Sequence, residues 1–289
     1  LLHNKRKKII MKRKVKTKVK GFRTTDGAGV KLVRVLGNLT TKEFDPILML
    51  DSFDSINPDD YTAGFPMHPH RGIETISYVS RGKMVHRDSL GNEAGISDGE
   101  VQWMNSGSGI MHEEMVPAAE RLLGVQLWLN LPAKDKMSKP SYNSIKNEDI
   151  KEIEIEGGKI RLLAGKYGEH EGYKGDYLSM DYYDIHLNAD AEVTLTMEED
   201  DSVMVFTLLG DVYIDGEHIE EKTAVKLTEG DSLTIKNGNE KAQVLYMNSR
   251  ALNEPVAWAG PIVMNTQEEL QKAFLELRSN TFIKETAEY

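Results

Sequence analysis

The feature that most limits the fold of this chain is a long series of short apolar stretches separated by turn residues. Pairs such as Gly91-Asn92, Asp98-Gly99 and Asp215-Gly216 stand between the stretches. Many short strands at this spacing are typical of β-sandwiches and β-barrels, so an all-β fold is predicted. The stretches of strand length include residues 73–79, 100–104, 123–131, 202–209, 211–214, 232–235 and 243–248.

The two halves of the chain carry similar turn signals, which indicates a duplicated β-unit. In the first half, Gly82 opens one strand, and an acidic-Gly-acidic turn at 98–100 precedes a second strand. In the second half, Gly210 opens a strand in the same way, and a similar turn at 229–231 precedes the next one. The polar stretch 132–140, bounded by two prolines, separates the halves. The predicted divisions are a basic arm (1–20), a first barrel (21–135), a second barrel (141–250) and a C-terminal segment (251–289).

One helix is predicted near the C-terminus. Thr266 and Glu269 have the spacing of a capping box. The apolar residues that follow recur at i, i+3, i+4 and i+7, which forms one stripe on a short helix. We expect this stripe to pack on a barrel and to have a structural role; it consists of Leu270, Ala273, Phe274 and Leu277.

Charge is distributed unevenly. The chain has 36 basic and 46 acidic residues, for a net charge of −10, but its first twenty residues carry many Lys and Arg and no acid. An acidic body repels a phosphate backbone, so nucleic acid is excluded as a partner of the folded part. The arm is predicted to be a disordered tail or a non-native, translated upstream segment, because Met11 stands where a start codon could lie. Binding of the arm to nucleic acid or a membrane surface is the alternative.

The sequence contains no cysteine. Disulfides, thiolate metal sites and cysteine nucleophiles are therefore excluded, and any metal must be held by nitrogen and oxygen. No apolar run approaches the roughly 18–20 residues of a membrane helix, and the N-terminus lacks the apolar core of a signal peptide. These features predict a cytoplasmic protein with no membrane partner, and we expect a monomer.

Two short motifs predict a metal site. In a strand, residues i and i+2 point the same way, roughly 7 Å apart, so His68 and His70 can converge on one ion. About 40 residues later, His112 and Glu114 repeat this geometry. Three imidazoles and one carboxylate form a typical site for a first-row metal, so the predicted ligands are His68, His70, His112 and Glu114.

Several residues near these motifs have more than one interpretation. Glu74 shares strand parity with His70, so it is the alternative carboxylate ligand; otherwise it is expected to bind a neighbouring backbone group or to orient His70. His86 is expected to be satisfied locally or to face solvent, and Trp128, between two leucines, is expected in the core. An apolar pocket over the metal could be lined by Trp103, Trp128, Trp258, Met104, Met111 and Met115.

The remaining histidines are expected at the surface; they are His3, His170, His186 and His218.

Several motifs in this chain resemble those of the pirin family, which belongs to the cupin superfamily, and the resemblance covers roughly residues 22–284. It implies a bicupin: two face-to-face jelly-roll barrels, with metal in the N-terminal barrel only and a C-terminal segment that packs back on that barrel. By motif position the family ligands fall on the four residues named above. The motifs are residues 65–72 (FPMHPHRG), 74–75, 102–104, 109–115 (GIMHEEM), 127–131 and 254–265 (EPVAWAGPIVMN).

The resemblance also implies a function. Four protein ligands on an octahedral ion leave two positions open, which favours Fe(II), with Zn, Ni, Mn, Co and Cu as alternatives. The implied activity is that of a flavonol (quercetin 2,3-) dioxygenase, in which Glu114 takes the proton of the 3-hydroxyl and O2 opens the ring with release of carbon monoxide. Two alternatives remain: action on another small enol or phenol, and a non-enzymatic, metal- or redox-sensing transcriptional co-regulator that binds a protein partner.

Overall fold

A computed structural model of the protein describes residues 10–286. The first half is built from twelve strands, with short 3-10 turns at Asn38–Thr40, Pro58–Asp60 and Ala133–Asp135. The strands are β1 (Val15–Val19), β2 (Phe22–Asp26), β3 (Val30–Leu36), β4 (Ile47–Ser55), β5 (Phe65–His70), β6 (Ile73–Arg81), β7 (Lys83–Asp88), β8 (Glu93–Ser97), β9 (Glu100–Asn105), β10 (Ile110–Met115), β11 (Leu122–Asn130) and β12 (Ser141–Ile145).

The second half adds fourteen strands, a 3-10 turn at Asn147–Asp149 and one helix, α1 (Gln267–Arg278). Its strands are β13 (Lys151–Ile155), β14 (Gly158–Ala164), β15 (Lys166–Tyr167), β16 (His170–Glu171), β17 (Met180–Leu187), β18 (Glu192–Thr196), β19 (Ser202–Leu209), β20 (Val212–Ile214), β21 (Glu217–Ile219), β22 (Ala224–Leu227), β23 (Ser232–Asn237), β24 (Ala242–Ser249), β25 (Ala257–Ala259) and β26 (Ile262–Met264).

Twenty-two of the 26 described strands form two copies of one architecture, each a seven-stranded sheet and a four-stranded sheet, while β15-β16 and β25-β26 are separate two-stranded sheets. The large sheets have the orders β12-β9-β6-β11-β4-β3-β2 and β1-β22-β19-β24-β17-β14-β13. The small sheets have the orders β5-β10-β7-β8 and β18-β23-β20-β21, so every strand of one copy has a counterpart in the other. The predicted all-β, duplicated bicupin fold with a short C-terminal helix is confirmed.

Side-chain alternation along the central strands separates two environments. On β11, Leu123, Val125 and Leu127 belong to a core that joins the two seven-stranded sheets, together with Phe206 and Leu245 of the second domain. The intervening residues of β11 face the interior of the first domain. The domains are thus face to face, and polar residues at the alternate positions can be directed into the first barrel.

The strand β1 corrects the predicted disordered arm. It pairs with β22 at the edge of the second domain's large sheet, with Val15 opposite Leu227 and Val19 opposite Ala224. The buried guanidinium of Arg13 donates hydrogen bonds to backbone carbonyls of that domain, including those of Gly230 and Glu198. The expectation of disorder is wrong for residues 12–20, because an open sheet edge pairs with β1 and buried carbonyls accept hydrogen bonds from Arg13. Residues 1–9 lie outside the described part of the chain.

The predicted boundary between the barrels also needs correction. Strand β12 lies in the range assigned to the second barrel, but it pairs with β9 at the edge of the first domain's large sheet. The preceding polar stretch is attached to the first domain as well, because the buried Lys136 ammonium donates to the carbonyls of Gly72 and Val263 and to Asn130. Each domain therefore receives one edge strand of its large sheet from outside its predicted range: β12 joins the first domain, and β1 joins the second.

The C-terminal segment packs against the first domain through Arg71. The guanidinium of Arg71 is buried; it donates to the Glu276 carboxylate and the Phe282 carbonyl, both at or beyond α1. Helix α1 begins with the predicted capping box at Thr266, and Leu270 and Ala273 pack on the β25–β26 hairpin. None of the described helices is both long and apolar enough to span a bilayer.

Candidate metal centre

Three histidine side chains converge in the small sheet of the first domain. Strands β5 and β10 pair with His112 opposite His68. The Nε2 atom of His68 lies 3.1 Å from that of His70 and 2.9 Å from that of His112. Two nitrogens bound to one ion at roughly 2.1 Å and at right angles would be about 3.0 Å apart, so these two separations fit ligands of a single ion. All three candidate ligand atoms lie within 4.8 Å of one another.

The second nitrogen of two of these rings is held by a backbone carbonyl. His68 Nδ1 donates to Pro66 O at 2.7 Å, and His70 Nδ1 donates to Pro261 O at 3.0 Å. A donor at Nδ1 leaves the Nε2 lone pair directed at the centre, which is the tautomer that a metal ligand needs. Pro261 lies in the β25–β26 turn, so the C-terminal segment orients a ligand of the first domain.

His112 is oriented by another histidine. Its Nδ1 lies 3.4 Å from Nδ1 of His86, whose Nε2 donates to the Asp88 carboxylate at 2.7 Å. His86 is fully buried and stacks on Tyr142 with 4.0 Å between ring centroids. The expectation that His86 is locally satisfied or faces solvent misses this role. The sequence signal for this role was the spacing of His86 and Asp88, which lie two residues apart on β7, the strand beside β10.

The buried imidazoles are kept neutral. Burial, and then the neighbouring His68, lowers the pKa of His70 to about 3. Burial also holds the pKa of His112 well below its usual range, with the other imidazoles adding to the effect. Neutral imidazole is the form that binds a metal, so His70 and His112 are ready to do so near neutral pH.

The carboxylate of Glu114 lies in the wall of the same cavity but outside the three-histidine cluster. It accepts a hydrogen bond from the amide of Gln102, and both of its oxygens lie 3.1 Å from the amide nitrogen of Gln126. The assignment of Glu114 as the fourth ligand stays a prediction. Sequence reasoning missed the two glutamines as site residues; an isolated polar residue in an apolar strand such as β11 was the available signal.

Glu74 does not reach the histidine cluster. Its carboxylate accepts a hydrogen bond from the Trp103 indole at 3.1 Å, within the interface between the two domains. Glu74 was expected on the same strand face as His70, but the two residues lie on different strands. The chain turns between β5 and β6 at Gly72, whose φ is +82°. There the Val263 carbonyl lies 2.0 Å from where a Cβ would stand, so no larger residue fits. The alternative ligand assignment for Glu74 is therefore wrong.

An aromatic cavity of about 600 Å³ opens onto the histidines. Trp128 contacts His70 edge to face, with 5.1 Å between ring centroids, and Trp258 lies 5.5 Å from Trp128. Trp128 is buried, as expected, but it lines this cavity, whereas Trp103 packs between the domains. The methionines 104, 111 and 115 are not part of the lining. The cavity therefore combines two of the three imidazoles, those of His68 and His70, with two carboxylates and two indoles.

The equivalent position in the second domain is filled with apolar side chains. Strands β18 and β23 correspond to β5 and β10, and they pair with Val193 opposite Ile235 and Leu195 opposite Leu233. All four side chains are buried in the core of that domain. Within residues 10–286, the His68, His70 and His112 group is the one cluster with metal-ligand geometry.

The outlying histidines divide three ways. His170 and His218 are exposed, as expected. His186 is half-buried and pairs with a buried carboxylate. His3 lies outside the described residues.

Two cupin domains with a histidine cluster in the first define the class of the protein: a bicupin with one candidate metal centre. Residues 29–129 match the family model of pirin, and residues 182–283 match that of the pirin C-terminal cupin domain. The chain belongs to the pirin family, which confirms the resemblance seen in its motifs.

Relatives and solved structures agree with this assignment. A Pseudomonas aeruginosa protein provisionally named as a quercetin 2,3-dioxygenase is 39% identical over 268 residues, which cover 89% of this chain and 94% of that protein. A crystal structure described as quercetin 2,3-dioxygenase from Acinetobacter baumannii is 30% identical with a TM-score of 0.85, covering 93% of this chain and 98% of that one. A nickel(II) complex of a bacterial pirin from Escherichia coli, 19% identical, has a TM-score of 0.62, covers 80% of this chain and 95% of that one, and shares the fold.

Proposed function

We propose that the first domain binds one divalent first-row metal, Fe(II) in the native protein, and that the chain is a flavonol 2,3-dioxygenase. The observation that carries the proposal is the convergence of three histidine side chains, each held at Nδ1, two of which line an aromatic cavity. Glu114 would be the fourth ligand, which leaves two positions open on an octahedral ion. The names of two similar proteins support this choice of substrate.

The bound ion would supply Lewis acidity that lowers the pKa of a coordinated hydroxyl, together with a redox centre for O2 chemistry. The chain would supply a base: the Glu114 carboxylate takes the proton of the flavonol 3-hydroxyl and returns it to the product. Gln102 and Gln126 donate hydrogen bonds to this carboxylate and so fix its position. The overall reaction consumes one flavonol and one O2 and yields one depside and one CO.

The indoles would position the substrate and exclude water. Trp128 and Trp258 form an apolar wall on the side of the cavity next to His70. A flat phenolic ring system gains from stacking on such faces, and a cavity of about 600 Å³ is of the size that encloses a small aromatic molecule. The same wall would accept other planar enols or phenols, so the cavity selects a class of substrate.

The test is oxygen consumption after anaerobic loading with Fe(II), with quercetin as substrate and its absorbance followed in parallel. We expect equal consumption of quercetin and O2 with release of CO. His112→Ala should lose both metal and activity, while His218→Ala, an exposed histidine of the second domain, should keep both. Stoichiometric metal binding without oxygen uptake would contradict the enzymatic proposal and favour the metal-sensing co-regulator with a protein partner.

A further inference from the structure

A second, larger cavity of about 830 Å³ lies between the two domains. Its lining shares no residue with the cavity over the histidine cluster. The first domain contributes the end of β6, including Ser80 and Arg81, and the second contributes β14 and β17, including Lys159 and His186. Ligand sites occur preferentially at such domain interfaces, because two surfaces can close around a small molecule.

A fully buried carboxylate forms the floor of this cleft. Asp184 accepts hydrogen bonds from the Tyr78 hydroxyl of the other domain, from Gln243 Nε2 at 2.9 Å and from His186 Nε2 at 2.8 Å. Residues Tyr182 and Asp184 share one face of β17, and Tyr182 belongs to the apolar core between the domains. A carboxylate in such a place is costly unless all of its partners are supplied, and here both oxygens are satisfied.

The Asp184 interaction orients His186 towards the cleft. Because Nε2 donates to the carboxylate, Nδ1 is the ring nitrogen available to a ligand. The His186 side chain keeps 38% of its surface exposed, and it lines the cavity. A histidine held at one nitrogen by a buried acid and open at the other is preorganised for hydrogen bonding to a small molecule, as a neutral acceptor or a charged donor.

Charge around the cleft favours an anion. Four basic and three acidic side chains line it, in a chain whose net charge is −10. Arg161 lies on the floor, where its guanidinium donates to the Tyr78 hydroxyl at 3.3 Å, and that hydroxyl donates in turn to Asp184. Arg81 and Lys159 form exposed ion pairs with Asp98 and Glu152. Exposed pairs of this kind contribute little stability, so an anionic ligand can compete for both cations.

We propose that this interdomain cleft binds a small organic anion, carrying a carboxylate or a phosphate group, with His186 and Lys159 as its direct partners. The site is independent of the metal centre, and its ligand bridges the two domains. Arg81 is the third contact, from the first domain.

The experiment is calorimetric titration of the full-length, metal-loaded protein with inorganic phosphate and, separately, with succinate. We expect saturable binding of at least one probe, weakened tenfold or more in His186→Ala and in Lys159→Ala. Binding of phosphate alone would identify a phosphate-bearing ligand, and binding of succinate alone a carboxylate. The matched controls are His218→Ala and Lys236→Ala, exposed and ion-paired residues of the same domain, which should bind like wild type.

Nuclear magnetic resonance of the histidine rings locates the site. The ring nitrogens of His186 should shift on titration with the bound probe, and the metal content of His186→Ala should equal that of wild type. Two results would overturn the proposal: neither probe binds at about 10 mM or below, or a probe that binds wild type binds His186→Ala just as tightly.

Discussion

His86 and His112 face one another through their Nδ1 atoms, 3.4 Å apart, and Asp88 fixes the far side of His86 at 2.7 Å. The three side chains form a chain of contacts that ends at the Nε2 atom of His112. Partners that orient a metal-bound histidine commonly contribute ten- to a hundredfold to metal affinity. The geometry of the candidate metal centre therefore depends on two residues outside the three-histidine cluster.

The first prediction concerns this chain. His86→Ala and Asp88→Asn should each weaken metal binding by about 10- to 100-fold, because His112 loses its fixed tautomer and orientation. Competition titration against a coloured chelator measures the affinity. Asp211→Asn is the matched control, since Asp211 and His218 form an exposed pair at 2.8 Å in the second domain. Equal affinity in Asp88→Asn and Asp211→Asn would contradict the prediction.

The second prediction concerns the C-terminal segment, which holds His70 through the Pro261 carbonyl. Glu276→Gln should destabilise docking of the segment by about 1–2 kcal/mol, because the buried Arg71 guanidinium loses a charged partner. Hydrogen exchange in the β25–β26 hairpin should accelerate, and metal affinity should fall with it. Glu268→Gln, on an exposed position of α1, is the control and should change neither quantity. A faster exchange with unchanged metal affinity would show that Pro261 does not orient His70.

The third prediction concerns the arm strand. Arg13→Ala should lower the free energy of unfolding by at least about 3 kcal/mol, because several buried carbonyls lose a charged donor at once. Urea denaturation measures the loss. Lys14→Ala removes an exposed ion pair on the neighbouring residue and should change stability by less than about 0.5 kcal/mol. Similar midpoints for the two variants would argue against the buried role of Arg13.

The fourth prediction concerns Glu74 and pH. Burial raises the pKa of this carboxyl to about 7, so the folded protein retains a proton that the unfolded chain releases near its ordinary value of 4.5. The resulting stabilisation is complete below about pH 4.5 and is lost as the pH rises through about 7, with a total on the order of 3 kcal/mol.

Glu74→Gln should remove this dependence. The amide oxygen can still accept from Trp103, and no charge develops at high pH. We expect the variant to be more stable than wild type at about pH 8 and to show a flatter melting temperature between about pH 5 and 8. Glu169→Gln, at an exposed turn, is the control. A parallel pH dependence in wild type and Glu74→Gln would rule out Glu74 as the source.

The strand pattern, the duplication and the capping box of α1 could be predicted because each is a local signal. The histidine pairs could be found for the same reason: two residues apart on a strand means one face. The edge strands β1 and β12 could not be assigned, because pairing with a distant sheet depends on which edge is open and not on the composition of the strand. The basic arm indicated a solvated tail, whereas Arg13 satisfies carbonyls that are more than 180 residues away.

The residues that orient the site were harder to find than its candidate ligands. His86, Gln102 and Gln126 come from three strands of two sheets, and only the packing of the sheets brings them to the centre. The error at Glu74 has the same origin, because the prediction treated His70 and Glu74 as parts of one continuous strand, whereas a turn between them rotates the chain. A sequence motif can thus indicate which side chains share a strand face, but the contacts between strands depend on register and on turns such as that at Gly72.

The most direct test of the account is an anomalous scattering map from crystals of protein loaded with a single metal. We expect one peak per chain, at roughly 2.0–2.2 Å from Nε2 of His68, His70 and His112 and at a similar distance from a Glu114 oxygen. The second domain should show no peak, because Val193, Leu195, Leu233 and Ile235 fill its equivalent position. A peak away from the three histidines, or none in protein that retains its fold, would contradict the account.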